Sequence, residues 1–111
     1  MNAPEIARLR ERLVAEMVAL TDEDRLGAAA QSVVQLDQQA VGRLSRMDAL
    51  QGQAMARATQ GRRNLQKQRI LATLARIDNG EFGWCLECGE AIAPARLALD
   101  PCVPTCVTCA P

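Results

Sequence analysis

Histidine and tyrosine are absent from the chain, and its only aromatics are 1 Phe and 1 Trp. Without histidine there is no Ser-His-Asp triad, no His-Glu-x-x-His metalloprotease site and no imidazole general base, so the reading is of a protein that is not an enzyme, with no catalytic residue assigned. With so few rings, stacking on exposed nucleic-acid bases is poorly supported. Excess charge is missing too: Lys+Arg 13 balance Asp+Glu 13. Any electrostatic partner must therefore be met by a local patch rather than by the whole protein. No apolar run approaches the ~18 residues of a membrane span. Met1-Asn-Ala-Pro-Glu5 lacks the basic start and apolar stretch of a signal peptide, so a cytoplasmic chain with no membrane contact is expected.

What the chain does have is cysteine. Cys85-Leu-Glu-Cys88 and Cys106-Val-Thr-Cys109 are two Cys-x-x-Cys knuckles separated by residues 89–105. That spacing lets four thiolates close tetrahedrally on one zinc ion, with Cys85, Cys88, Cys106 and Cys109 as ligands. Four cysteines leave no open coordination position, so the metal is expected to be structural. A pair of disulfides is the bland alternative, disfavoured in a chain read as intracellular. An iron–sulfur cluster is the other, but the separation is not that of the ferredoxin runs. Cys102 stands outside the pattern, as a small core residue, a redox-sensitive thiol or a substitute ligand through Cys102-x-x-x-Cys106. Gly83 and Gly89 relax the backbone around the first knuckle, and Pro94, Pro101 and Pro104 keep the intervening loop out of a long helix.

At 111 residues the core must be modest, which makes a metal staple useful. Upstream of the cysteines the pattern is helical. Ile6, Leu9, Leu13, Met17 and Leu20 recur at steps of three and four, an amphipathic helix. Thr21-Asp-Glu-Asp24 reads as an N-cap, which predicts a break or kink there. A second run passes through Leu26, Ala30, Val33 and Ala40. Gly42 and Ser45 then interrupt the pattern, and Ser45 offers a cap for the next helix.

From about Arg46 to Asn79 there is no proline, and Asn79-Gly80 supplies a C-terminal stop. Met47, Leu50, Ala54, Ala58 and Leu65 share one face and are expected to pack along a partner helix. Ile70, Leu71, Leu74 and Ile77 cluster nearly opposite and are expected to meet the zinc module or the first helix. The chain is thus read as mainly α: an antiparallel helical hairpin, or coiled coil, with a small four-cysteine zinc finger at its base. Residues 1–79 form the helical region, with a tip near 40–48, and 80–111 form the finger. The second arm is basic, with Arg57, Arg62, Arg63, Lys67, Arg69 and Arg76 and no acid between Asp48 and Asp78. It is either a solvated face or a docking face for an acidic protein surface or a phosphate ligand.

Gly80-Glu-Phe-Gly-Trp-Cys85-Leu-Glu-Cys88-Gly-Glu-Ala-Ile92, with Arg96-Leu97 and Pro101 ahead of the second knuckle, closely resembles the DksA/TraR zinc-finger family. The run Val41–Gln51 is similar to its short, DksA-like members. The resemblance implies a bacterial transcription regulator that binds RNA polymerase rather than promoter DNA, inserting a helical hairpin through the secondary channel. It places candidate polymerase contacts at the tip: Asp37, Arg43, Ser45, Arg46, Asp48 and Ala49. Two departures matter. Gly42 and Ser45 stand where the family has an acidic pair, so the regulatory effect of the tip is expected to be altered. The family also shares a guanosine tetraphosphate pocket with polymerase. Arg62 and Arg69 match its helical basic positions, but Asp100 and Ala110 replace the finger ones, so a weakened or absent nucleotide response is expected.

Two other classes compete. A nucleic-acid-binding zinc ribbon using the basic second helix would show affinity falling steeply with salt. A thiol–disulfide enzyme built on Cys85-x-x-Cys88 needs a βαβ core, for which no strand pattern exists.

Overall fold

The structure, a computed structural model, describes residues 1–38 and 43–111, with side chains for 1–29 and 46–111. Its helices are α1 Ala3–Gln38, α2 Arg43–Asp78 and the short α3 Pro94–Leu99. Among the described residues the only sheet-like pairing is one antiparallel bridge between Trp84 and Ala91. The chain packs as two compact units, Met1–Glu16 with Gln68–Pro111 and Met17–Lys67, so both long helices contribute to each.

Three of the helix termini have a clear local cause. Asn2 Oδ1 accepts the Glu5 N–H at 2.9 Å, capping the first turn of α1, and the Glu5 carboxylate suits the positive end of the helix dipole. At the other end of α2, Gly80 adopts φ 75. Its N–H bonds the Ile77 carbonyl while the Glu81 N–H reaches back to Arg76, the paired pattern by which a left-handed glycine closes a helix. The expected stop at Asn79-Gly80 is therefore present. Pro94 opens α3 rather than merely excluding helix, its fixed φ and missing N–H costing nothing in a first turn.

In the unit Met1–Glu16 with Gln68–Pro111, the apolar positions of α1 do what their spacing predicts. Leu9 joins Phe82, Cys85, Ile92 and Leu97 in one buried cluster, and Ile6, Ile77, Val103, Cys106 and Cys109 pack against it. Leu13, Ile70 and Thr73 are also fully buried. Thr73 takes an interior place because its hydroxyl donates to the Arg69 carbonyl at 2.8 Å, leaving no polar atom stranded. Leu71, expected beside Ile70, is exposed.

The unit Met17–Lys67 departs from expectation. α1 runs unbroken through Thr21. The Thr21 hydroxyl bonds back to the Met17 carbonyl at 2.9 Å, Asp22 pairs with Arg25, and Asp24 faces α2, so these polar groups are satisfied without ending the helix. The half-buried positions of α1 continue through Met17, Leu20, Asp24 and Gly27, whereas Leu26, expected inside, is exposed. Ala30, Val33 and Ala40 lie outside the described side chains.

On α2 the half-buried positions from Ala49 to Lys67 are Ala49, Gln53, Ala56, Thr59, Gln60, Arg63, Gln66 and Lys67, and six of them, at steps of four and three from Ala49, define a seam. Asp24 meets Lys67 and Arg63, while Gly27 lies against Arg63. Nearer the start of α1, Arg10 meets Asp78 at the end of α2, so residues later in α1 meet residues earlier in α2 and the pairing is antiparallel. The face chosen from the sequence, Met47, Leu50, Ala54, Ala58 and Leu65, is exposed throughout. Ion pairs and small alanines fill the seam instead of leucines. Within the stretch 40–48 read as the tip, α2 already starts at Arg43. Ser45 thus sits inside the helix rather than capping it, and residues 39–42 lie outside the described residues.

Candidate metal centre

The first knuckle is built by backbone bonds. Ile92 N–H donates to Gly83 and Cys85 N–H to Glu90, folding 83–85 against 90–92, while Gly89 N–H returns to the Cys85 carbonyl at 2.9 Å. Gly89 makes that turn at φ 74, a conformation that costs a side-chain-bearing residue more. The second knuckle repeats the closure, with the Ala110 N–H on the Cys106 carbonyl at 2.9 Å. Leu86 N–H reaches the Pro104 carbonyl and Arg96 Nε the Thr105 carbonyl at 3.1 Å. These two bonds hold the knuckles side by side.

This brings the Sγ atoms of Cys85, Cys88, Cys106 and Cys109 within 4.8 Å of one another. Cys88 and Cys106 stand 3.7 Å apart. A tetrahedron with metal–sulfur bonds of ~2.3 Å has edges of about 3.8 Å, whereas a disulfide needs ~2.05 Å. All five cysteines are unbonded to one another, which removes the disulfide reading.

The electrostatics ask for a cation. Backbone N–H bonds, that of Cys88 first, pull the Cys85 thiol down to about 6. Hydrogen bonds with Cys106 and then Cys88 push Cys109 up to about 12. Sulfurs this close cannot all ionise alone, and a divalent ion of soft-ligand preference removes the conflict. Cys85 is buried, Cys106 and Cys109 are half-buried and Cys88 is exposed, a closed donor set with no side chain poised to activate a bound water. Zinc would be held by these four thiolates, and what it supplies is a cross-link between the knuckles. Cys102 is buried and outside the cluster, its N–H donating to Asp100 Oδ1 at 3.1 Å. Its burial agrees with the first of its three readings, a small core residue. With no strand among the described residues, a thioredoxin-like βαβ core is ruled out for Cys85-x-x-Cys88.

The finger is clasped by two arginines, Arg12, which sequence reasoning did not single out, and Arg69, which it read as a nucleotide contact. Arg12 Nη1 on α1 donates to the Ala98 carbonyl at 2.9 Å. Arg69 on α2 pairs with Asp100 at 2.8 Å. Arg10 pairs with Asp78, which joins α1 to the last turn of α2 rather than to the finger. The one available signal was Asp100 itself, an acid where the resemblance expects a base.

Of the predicted tip residues, Arg46 and Asp48 are exposed and Ala49 faces the seam, while the side chains of Asp37, Arg43 and Ser45 lie outside the described residues. Arg62 is exposed and donates to Thr59 Oγ1 at 3.1 Å. Arg69 spends its guanidinium on Asp100. Arg63 and Lys67 turn inward to Asp24, with Gln60 donating to the same carboxylate at 2.7 Å. A phosphate-tracking face made from the whole basic arm is therefore not present.

Residues 80–111 match the family model of the prokaryotic dksA/traR C4-type zinc finger. The solved structure of transcription factor DksA2 from Pseudomonas aeruginosa superposes with a TM-score of 0.85 at 19% identity, over 96% of this chain and 81% of that one. The chain shares that fold. Among curated proteins none matches it. No described helix is long and apolar enough to cross a membrane.

Proposed function

We propose that this chain is a DksA-type transcription regulator that acts in the cytoplasm by binding RNA polymerase through the secondary channel. A single structural zinc holds its finger, and no reaction is catalysed. The observation carrying this reading is the agreement of two independent likenesses: the finger match at 80–111, and a fold likeness over 96% of the chain to a protein titled a transcription factor. The closed thiolate set agrees with it, since a metal without an open position cross-links and does not catalyse. The polymerase contacts are assigned to the tip, at Asp37, Arg43, Ser45, Arg46, Asp48 and Ala49.

Guanosine tetraphosphate is not expected to matter much. Arg69 already has a carboxylate partner in Asp100, and a polyphosphate has to displace it against like charge. Direct binding of nucleic acid by the second helix is disfavoured for a related reason, because Arg63 and Lys67 are engaged by Asp24. The test is binding of the purified, zinc-loaded chain to RNA polymerase core enzyme, with and without guanosine tetraphosphate. Saturable binding that ignores the nucleotide and weakens on changing Arg46 or Asp48 is expected. Absence of binding to core enzyme, alongside salt-sensitive binding to DNA, would put the nucleic-acid reading first.

A further inference from the structure

From Met47 to Lys67 the second helix is mostly polar where it is covered and carries an apolar row where it is not. Its seam toward α1 carries Gln53, Gln60, Arg63 and Lys67. Its outer side carries Met47, Leu50 and Leu65, with 56%, 58% and 60% of their surfaces exposed, together with exposed Ala54, Ala58 and Gly61. At about 100° per residue these six positions fall within a sector of about 80°, diametrically opposite the seam. Scattered apolar residues on a surface need no explanation, but an aligned row over five turns facing away from the packed seam does.

We propose that this outer face of α2, from Met47 to Leu65, docks an acidic amphipathic helix belonging to another protein. Two features of the face choose that occupant. The middle of the row is small, and nothing lies within 4 Å of where a side chain on Gly61 would begin, so a second helix can approach closely between the larger ends at Leu50 and Leu65. A flat bilayer gains little from so shallow a row, which has no aromatic anchor. From Ala49 to Leu65 every charge edging the row is cationic. Arg57 flanks it on one side and Arg62 on the other, both exposed, and α2 carries no acid from Ala49 to Ile77. A second copy laid on the same face would set arginine against arginine, whereas glutamates beside the leucines of a foreign helix meet both edges. This surface stands whether or not the tip engages polymerase.

The experiment uses the full zinc-loaded chain and two synthetic helical peptides with one Leu/Ala face, flanked by Glu in one and by Lys in the other. Binding is read by fluorescence anisotropy and self-association by light scattering. The Glu peptide should bind at least about tenfold more tightly than the Lys peptide. Leu50→Gln with Leu65→Gln should abolish binding, and Arg57→Glu with Arg62→Glu should reverse the preference, with circular dichroism unchanged in both pairs because every altered side chain is exposed. Four outcomes overturn the proposal. They are equal binding of the two peptides, binding unaffected by the Leu variants, self-association that the Leu variants abolish, or anionic vesicles or DNA bound more tightly than the Glu peptide. None of these bears on polymerase binding, which the preceding assay reads separately.

Discussion

Arg69 Nη2 donates to Asp100 Oδ2 at 2.8 Å, while Oδ1 of the same carboxylate accepts the Cys102 N–H. One side chain thereby ties α2 to the loop leading into the second knuckle. Partial burial works to raise the Asp100 pKa but is outweighed by the hydrogen bonds from Arg69 and Cys102 and by the charges of Arg69 and Arg12, so the carboxyl lies below its usual range.

Asp100→Ala should therefore lower the stability of the finger. The pair is partly exposed, so solvent screening limits the cost to about 1 kcal/mol rather than the larger value of a buried pair. Because the folded carboxyl titrates below its unfolded value, its contribution is present above about pH 4 and is lost as pH falls further. Because acid also strips zinc from thiolates, the pair is read at neutral pH. Denaturant melts of both proteins at low and at ~1 M salt should show the gap narrowing as screening rises; a gap unchanged by salt would deny the ion pair its role.

Asp24 offers a sharper case. Hydrogen bonds from Lys67 first, then Gln60 and Arg63, set against desolvation, hold it at about 2 instead of 3.8. Its stabilisation is complete above about pH 4 and disappears as pH drops through about 2. Asp24→Asn should melt earlier than the parent at neutral pH by circular dichroism, and the two curves should converge toward pH 2.

Gly27 and Gly52 are both in helices and should respond differently to alanine. A methyl on Gly52 meets nothing, so Gly52→Ala should gain up to about 1 kcal/mol of helix propensity. A methyl on Gly27 would sit 2.9 Å from Arg63 Nη2, the atom bonded to Gln60 Oε1 at 2.6 Å. Gly27→Ala should gain clearly less or lose stability, and the full gain should return in an Arg63→Ala background. Urea titrations of the four-protein cycle measure the coupling.

Removing a knuckle ligand tests the metal. Cys88→Ser should hold well under one equivalent of zinc by atomic emission and lose the cooperative melt of the finger, with most of the helical signal retained. Cys102→Ser, outside the cluster, should keep its full equivalent. Retention of a full equivalent by Cys88→Ser would mean that Cys102 can take the vacant position.

The four zinc ligands were legible because tetrahedral closure is a local rule: two residues between cysteines set the knuckle, and a modest loop brings the knuckles together. The inward side of α1 was legible as far as Leu20 for a similar reason, since apolar residues at helical spacing have one sensible destination. Beyond it the signal inverts. Asp24, Gly27, Gln53, Gln60, Arg63 and Lys67 occupy the seam, and each reads as solvent-facing until its partner on the other helix is known. A helical wheel weighs residues singly, so it sent Met47, Leu50 and Leu65 inward and took Thr21-Asp-Glu-Asp24 for a cap.

The shared carboxylate at Asp24 also constrains how such a chain can change in size. Sliding one helix a heptad past the other leaves Met17 facing the two cations in place of an anion, so only one alignment satisfies them. Residues added to or deleted from either strand of the pair beyond this index point have to be matched by an equal change in the other. Length variation here should come in balanced sevens, and an unbalanced insertion should cost stability before it costs any contact with a partner.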